Sequence, residues 1–201
     1  MTMVWLLSGC GTPEYRNTQG QTMGTYYAVR AGIAPGCGIS QAQLEAVLAE
    51  VNAVMSTYLA ESELSRINTA PTEEWQTLSP QLAHVMDAAY QLWRRSAGAF
   101  DVTVGPLVNV WGFGPEAGSE PPSLEQQASA RAMVGMQHVQ LHDGQLATLR
   151  PGVYIDLSAL AKGYGVDRLA EVYLAAGCGD FMVEIGGEIS VSGLSPRGGP
   201  W

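Results

Sequence analysis

The chain has 201 residues, 46% of them hydrophobic, enough for one substantial core in a single domain. A formal net charge of -9 excludes a polyanion-binding surface such as a nucleic-acid groove. Three cysteines are too few for a disulfide-built scaffold, and no CxxC or Cys/His spacing of a metal site occurs.

At the amino terminus Met1 to Leu7 is apolar, and Leu6-Leu7-Ser8-Gly9-Cys10 resembles a bacterial lipobox. That pattern implies lipidation of Cys10, with residues 1–20 as leader and tether. An acyl anchor holds because each buried methylene contributes about 0.8 kcal/mol. The apolar run is short for a signal peptide and has no Lys or Arg before it. Cys37 and Cys178 then remain as thiols, and whether they pair depends on a separation that sequence does not set.

Thr22 to Val29 reads as a first strand, and the Gly/Pro cluster from Gly32 to Gly38 as a loop. Ser40 with Gln43 forms a capping-box pattern, and Leu44, Val47, Leu48, Val51 and Met55 follow at helical spacing. A second helix starts at Ser79-Pro80, carries Leu82, Val85, Met86, Ala89 and Trp93 on one face, and ends at Gly98. Arg94 and Arg95 in its last turn suit the negative end of the helix dipole.

The run from Phe100 to Gly114 joins Asp101, Thr103, three glycines and the aromatics Trp111 and Phe113 in one loop-rich segment. Aromatic faces, close backbone approach and a single acid are what a nucleotide or flavin pocket uses, although a tight turn between two buried strands would also account for it. Pro121 to Gly135 suggests a third helix capped by Ser123. Asp143-Gly144 then joins two strand-like stretches, His138 to His142 and Gln145 to Arg150, as a hairpin. His138 and His142 would share a strand face, a conceivable metal pair that lacks a third ligand. From Ile155 to Arg168 a carboxylate and a lysine stand where a strand turns into a helix, which runs from about Leu160 to Ala176. Phe181 to Ile185 and Glu188 to Val191 read as strands joined at Gly186-Gly187, a turn that explains those glycines without a site. The order of elements predicts an α+β domain with helices packed on largely antiparallel sheets.

Five separated motifs occur in order: Met23-Gly24-Thr25, Met55-Ser56-Thr57-Tyr58 with Ser62-Glu63-Leu64-Ser65-Arg66-Ile67-Asn68, the run around Asp101, Ile155 to Arg168, and Glu184-Ile185-Gly186-Gly187-Glu188-Ile189. Together they resemble the ApbE family of FAD:protein FMN transferases. The resemblance implies an ApbE-like, T-fold-like α+β domain over residues 21–201, incomplete at its carboxyl end. It implies a lipid-anchored protein on the periplasmic side of a bacterial inner membrane. FAD is the implied substrate, Mg²⁺ the cofactor, and flavoprotein subunits of membrane redox complexes of the Nqr and Rnf type the acceptors.

The resemblance also assigns residues. Met23 and Tyr58 match positions that pack on the cofactor, and Ala99, Phe100 and Asp101 match the segment lining it. Asp156 matches an FAD-contacting carboxylate and Lys162 a further FAD contact, where an ammonium neutralises pyrophosphate charge. The backbone carbonyl of Ala159 matches a metal-ligand position. Each has an ordinary structural alternative: Asp156 as a helix cap, Lys162 as a solvated helix residue, Met23 and Tyr58 as core. The family's base and its remaining metal ligands are expected beyond Trp201, so the 201 residues alone are expected to be inactive. An FAD pyrophosphatase and a non-catalytic flavin-binding protein remain the alternatives.

Overall fold

A computed structural model describes residues 14–34, 37–115 and 120–201. Cys10, the expected lipidation site, lies outside the described residues. The chain divides into two compact units, one formed by residues up to Leu44 together with Val166–Trp201, the other by Glu45–Gly165.

The first unit is built on a four-stranded antiparallel sheet in the order β1-β2-β6-β7. Its strands are β1 (Tyr15–Thr22), β2 (Thr25–Gly32), β6 (Phe181–Ile185) and β7 (Glu188–Ser192). Of the strand expected over Thr22 to Val29, Thr25 to Val29 lies in β2, while its start is the corner of a hairpin: Thr22 pairs with Thr25, and Met23 and Gly24 form the two-residue turn at φ +49° and +70°. Positive φ at both positions is the primed turn that matches strand twist, a conformation for which Met-Gly carries no sequence signal. β1 begins within the stretch expected as tether, and its sequence, YRNTQGQT, lacks apolar alternation.

Alternate side chains of the two central strands face the core: Tyr27, Val29 and Ala31 on β2, Phe181, Val183 and Ile185 on β6. Burial of each large one contributes about 1.5–3 kcal/mol. Helix α6 (Ser158–Ala175) buries Val166, Leu169, Ala170 and Tyr173, and the Tyr173 ring lies 5.6 Å from that of Phe181, so its later turns cover this sheet face. Gly20 is required beneath Tyr27, because a Cβ there would stand 2.5 Å from the ring. Cys37 and Cys178 form a disulfide with Cα atoms 5.3 Å apart, which answers the pairing question left open by the sequence.

In the second unit, α1 (Gln41–Met55) continues from its start in the first and buries Leu48, Val51 and Met55. The expected capping box forms, with Ser40 Oγ accepting from the Gln43 amide and Gln43 Oε1 from the Ser40 amide. Then follow α2 (Glu63–Thr69), β3 (Gln76–Thr77) and α3 (Pro80–Arg95), whose Ser79 cap and buried Leu82, Val85, Met86 and Ala89 are as expected. α4 (Gly105–Val110) lies within the glycine-rich run, and α5 (Leu124–Met133) starts at a complete Ser123/Gln126 capping box.

β4 (Val139–His142) and β5 (Gln145–Thr148) join at Asp143-Gly144, both at positive φ, and a small antiparallel sheet is completed in the order β3-β5-β4. His138 does not share that strand with His142: it closes a 3-10 turn, Met136–His138, so the conceived metal pair does not form. The exposed His142 ring instead lies 3.2 Å from the Asp143 carboxylate. The architecture is the α+β arrangement of helices and antiparallel sheets that the element order predicts.

Candidate functional site

In the second unit two backbone segments run side by side. Val104 and Tyr154 form a parallel bridge, and the Asp156 amide donates to the Val102 carbonyl at 2.7 Å. The first segment is folded around Asp101. Its Oδ1 accepts from the Thr103 amide (2.8 Å) and hydroxyl (2.6 Å), and its Oδ2 accepts from the Met136 amide (2.9 Å). The Thr103 hydroxyl, fully buried, also accepts from the Gly135 amide at 2.7 Å. Three of the roughly four acceptor positions of the Asp101 carboxylate are thus spent on the fold. Ala99 and Phe100 lie just before it, where the Ser96 hydroxyl accepts from the Phe100 amide at 2.9 Å.

The second segment leads into α6. Asp156 is buried, and its Oδ1 accepts from the amide of Ser158, the first helical residue, at 2.7 Å. A carboxylate there satisfies an orphan amide and complements the positive end of the helix dipole. The other Asp156 oxygen makes no hydrogen bond among the described residues. Ala159 and Lys162 follow three residues apart, a spacing that places them on one helix face. Lys162 is half-buried and has no ion-pair partner among the described residues.

The other edge of the second segment, at Ile155 between those two contacts, is held by Asn68, in the last turn of α2. Its Nδ2 donates to the Ile155 carbonyl and its Oδ1 accepts from the Ile155 amide, both at 2.8 Å. At the start of α2, Ser62 Oγ accepts from the Ser65 amide (3.0 Å) and donates to the Ser56 carbonyl, which also accepts from Ser65 Oγ at 3.1 Å. Ser56 Oγ in turn accepts from the amides of Tyr58 (3.1 Å) and Leu59 (3.2 Å). Tyr58 is therefore no core residue: it is 64% exposed, and its hydroxyl donates to the Phe113 carbonyl at 2.8 Å. Phe113 and Trp111 are exposed as well, so the aromatic run leaves flat apolar surface open to a planar ring.

The second unit thus brings together the Asp101 and Asp156 segments, with Ala159 and Lys162 directly after Asp156, and ties Tyr58 to the aromatic run. Met23 belongs to the first unit, at the tip of the β1–β2 hairpin. Also there, Tyr26 donates from its hydroxyl to Glu184 at 2.7 Å, and that bond with the carboxylate charge raises the phenol above its ordinary value. Asn68 and Thr103 carry no sequence signal of their roles, because the backbone groups they bond lie 87 and 32 positions along the chain, whereas Ser56 bonds locally, to the amides of Tyr58 and Leu59.

Among the described residues no group of three His, Cys, Asp or Glu could hold a metal ion. Ala159 offers one carbonyl oxygen, already directed along the α6 axis. A groove of about 690 Å³ lined by Asn109, Glu120, Glu125, Met133 and Tyr154 contains none of the expected FAD-contacting residues. With two carboxylates and no cation among its lining residues, it is unsuited to a pyrophosphate.

The model of the ApbE family matches residues 23–201. The chain belongs to the ApbE family. The FAD:protein FMN transferase of Vibrio cholerae serotype O1 is 43% identical over 98% of this chain and 60% of its own length. The Haemophilus influenzae protein of the same name is 42% identical over 90% and 56%. In structure, the flavin transferase ApbE from Vibrio cholerae superposes with a TM-score of 0.91 at 42% identity, covering 94% of this chain and 62% of the other. The apo Pseudomonas stutzeri flavinyl transferase ApbE gives 0.86 at 32% identity, covering 96% and 66%. The chain spans about six-tenths of the length of these curated relatives.

Proposed function

We propose that the protein moves FMN from FAD onto a Thr or Ser hydroxyl of a target protein and releases AMP. The observation that carries this reading is the start of α6, where, among the described residues, buried Asp156 keeps one uncommitted oxygen and half-buried Lys162 carries an unpaired charge in the next turn. Family membership and the names of the relatives support the same reading.

In the reaction the acceptor hydroxyl gives up its proton to a base, its oxygen forms a bond to the flavin-side phosphorus, the pyrophosphate P–O bond breaks, and the electron pair leaves with AMP. Lys162 neutralises charge growing on the phosphate oxygens, the kind of fixed electrostatic aid that matters most in such displacements. Asp156 accepts a hydrogen bond from an adenine or ribose donor and orients that half of FAD. Tyr58 offers an exposed ring for stacking, and Ala99, Phe100 and Asp101 line the cofactor, with Asp101 also keeping its wall rigid. Mg²⁺, when bound, adds charge neutralisation at the phosphates, with the Ala159 carbonyl as one ligand. One carbonyl oxygen holds Mg²⁺ weakly, so the 201-residue polypeptide by itself is expected to transfer flavin slowly or not at all.

The protein acts on the periplasmic side of the inner membrane, anchored through Cys10, on subunits of Nqr- and Rnf-type complexes. The Cys37–Cys178 disulfide supports an oxidising compartment. The test is incubation of the full-length gene product with FAD, Mg²⁺ and a periplasmic flavoprotein acceptor, read as covalent flavin fluorescence in a denaturing gel. A fluorescent acceptor band, reduced at least about tenfold by Lys162→Ala, is expected. Free FMN and AMP without a band would make the protein a pyrophosphatase, and tight FAD binding with neither product a non-catalytic carrier.

A further inference from the structure

We infer that Asn68 is a positioning residue for FAD, acting through Asp156; the inference rests on the reading that Asp156 contacts FAD. Asn68 completes both backbone hydrogen bonds of Ile155, a residue 87 positions away and fully buried, as a neighbouring strand would. One planar amide presents a donor and an acceptor side by side. Aspartate lacks the donor, and serine or threonine has a single oxygen. Without it, the Ile155 amide and carbonyl would be left unpaired in the interior, and the backbone would move to find partners.

Asp156 is the next residue, so any such movement carries its carboxylate with it. The opposite side of that carboxylate is fixed by the Asp156 amide on Val102 and by Oδ1 on the Ser158 amide. Asn68 is thus the side chain that sets where this backbone enters α6. The same short helix holds the Tyr58 loop from its other end through Ser62 and Ser65. α2 therefore braces two of the positions expected to touch FAD, which gives the Ser62–Asn68 motif a purpose that stability alone would not require.

The test is a double-mutant cycle on the full-length protein, with FAD affinity measured by titration and amide hydrogen exchange followed at Ile155 and Ser158. Asn68→Leu is expected to weaken FAD binding about tenfold. Asp156→Asn should weaken it at least as much, and the double variant no more than Asp156→Asn alone, since Asn68 works through that carboxylate. Exchange at Ile155 and Ser158 should quicken in Asn68→Leu while the β2–β6 amides stay protected. Asn68→Asp, which keeps the acceptor for the Ile155 amide, should fall between, and it takes the place of the leucine variant in the cycle if that protein does not fold. Unchanged affinity at Asn68, or losses that add in full, would overturn the inference while leaving the FAD reading intact. Wild-type affinity in Asp156→Asn would overturn both, even with altered exchange at Ile155.

Discussion

Thr103 shows how much of the site is backbone engineering by single side chains. Its buried hydroxyl donates to Asp101 and accepts from Gly135, so Thr103→Val removes both bonds and strands the Gly135 amide, while Asp101 keeps the bond from the residue 103 amide. The expected loss is about 2–3 kcal/mol in urea unfolding, with little change in size or shape at the position. Tyr26 offers a pH handle in the first unit. Its phenol is raised by the bond to Glu184, so the unfolded chain gives up this proton first. The contribution is intact below the ordinary tyrosine value of about 10 and is lost as pH rises through the higher folded value. Glu184→Gln should bring the ultraviolet phenolate titration of Tyr26 back toward the ordinary value, and an unmoved curve would remove Glu184 as the cause. At this scale the sequence displayed the kinds of residue, two acids and a lysine in glycine-rich surroundings, but not their partners. The amides that meet Asp101 come from residues 103 and 136, and the second of these is adjacent only once the chain has folded.

Among the elements, legibility followed the strength of local signals. Helices α1, α3 and α5 start at Ser caps, α1 and α3 carry apolar faces as well, and all three stand where those signals put them. β1, α2 and α4 do not announce themselves: β1 is polar along its length, and the two helices have seven and six residues, too short for periodicity to register. The hairpin between β1 and β2 was hidden for another reason, since its first turn position is a methionine in the left-handed region. That conformation is unfavourable by about 1–2 kcal/mol for an ordinary side chain, and asparagine tolerates it better. Met23→Asn should therefore raise the unfolding midpoint, while weakening FAD binding through loss of the thioether side chain. A variant that gains stability with unchanged affinity would place Met23 outside the flavin site.

For the whole chain, the α+β class followed from the sequence of helix and strand signals, whereas the division into two units did not, because the first is assembled from both ends of the chain. The same long range hid the disulfide. Cys37 and Cys178 are separated by 141 positions, and nothing local to either marks the other as its partner. Closing so long a loop restricts the unfolded chain, so replacing both cysteines by serine should lower stability by about 2–5 kcal/mol in denaturant titration.

The bond also makes residues 37 to 178 a covalent ring in which every residue of Glu45–Gly165 is a link. One protease cut anywhere in the second unit opens that ring without dividing the molecule. Such a nicked chain keeps its full mass on a non-reducing gel, falls into two pieces once reductant is added, and in an oxidising compartment stays a single covalent object.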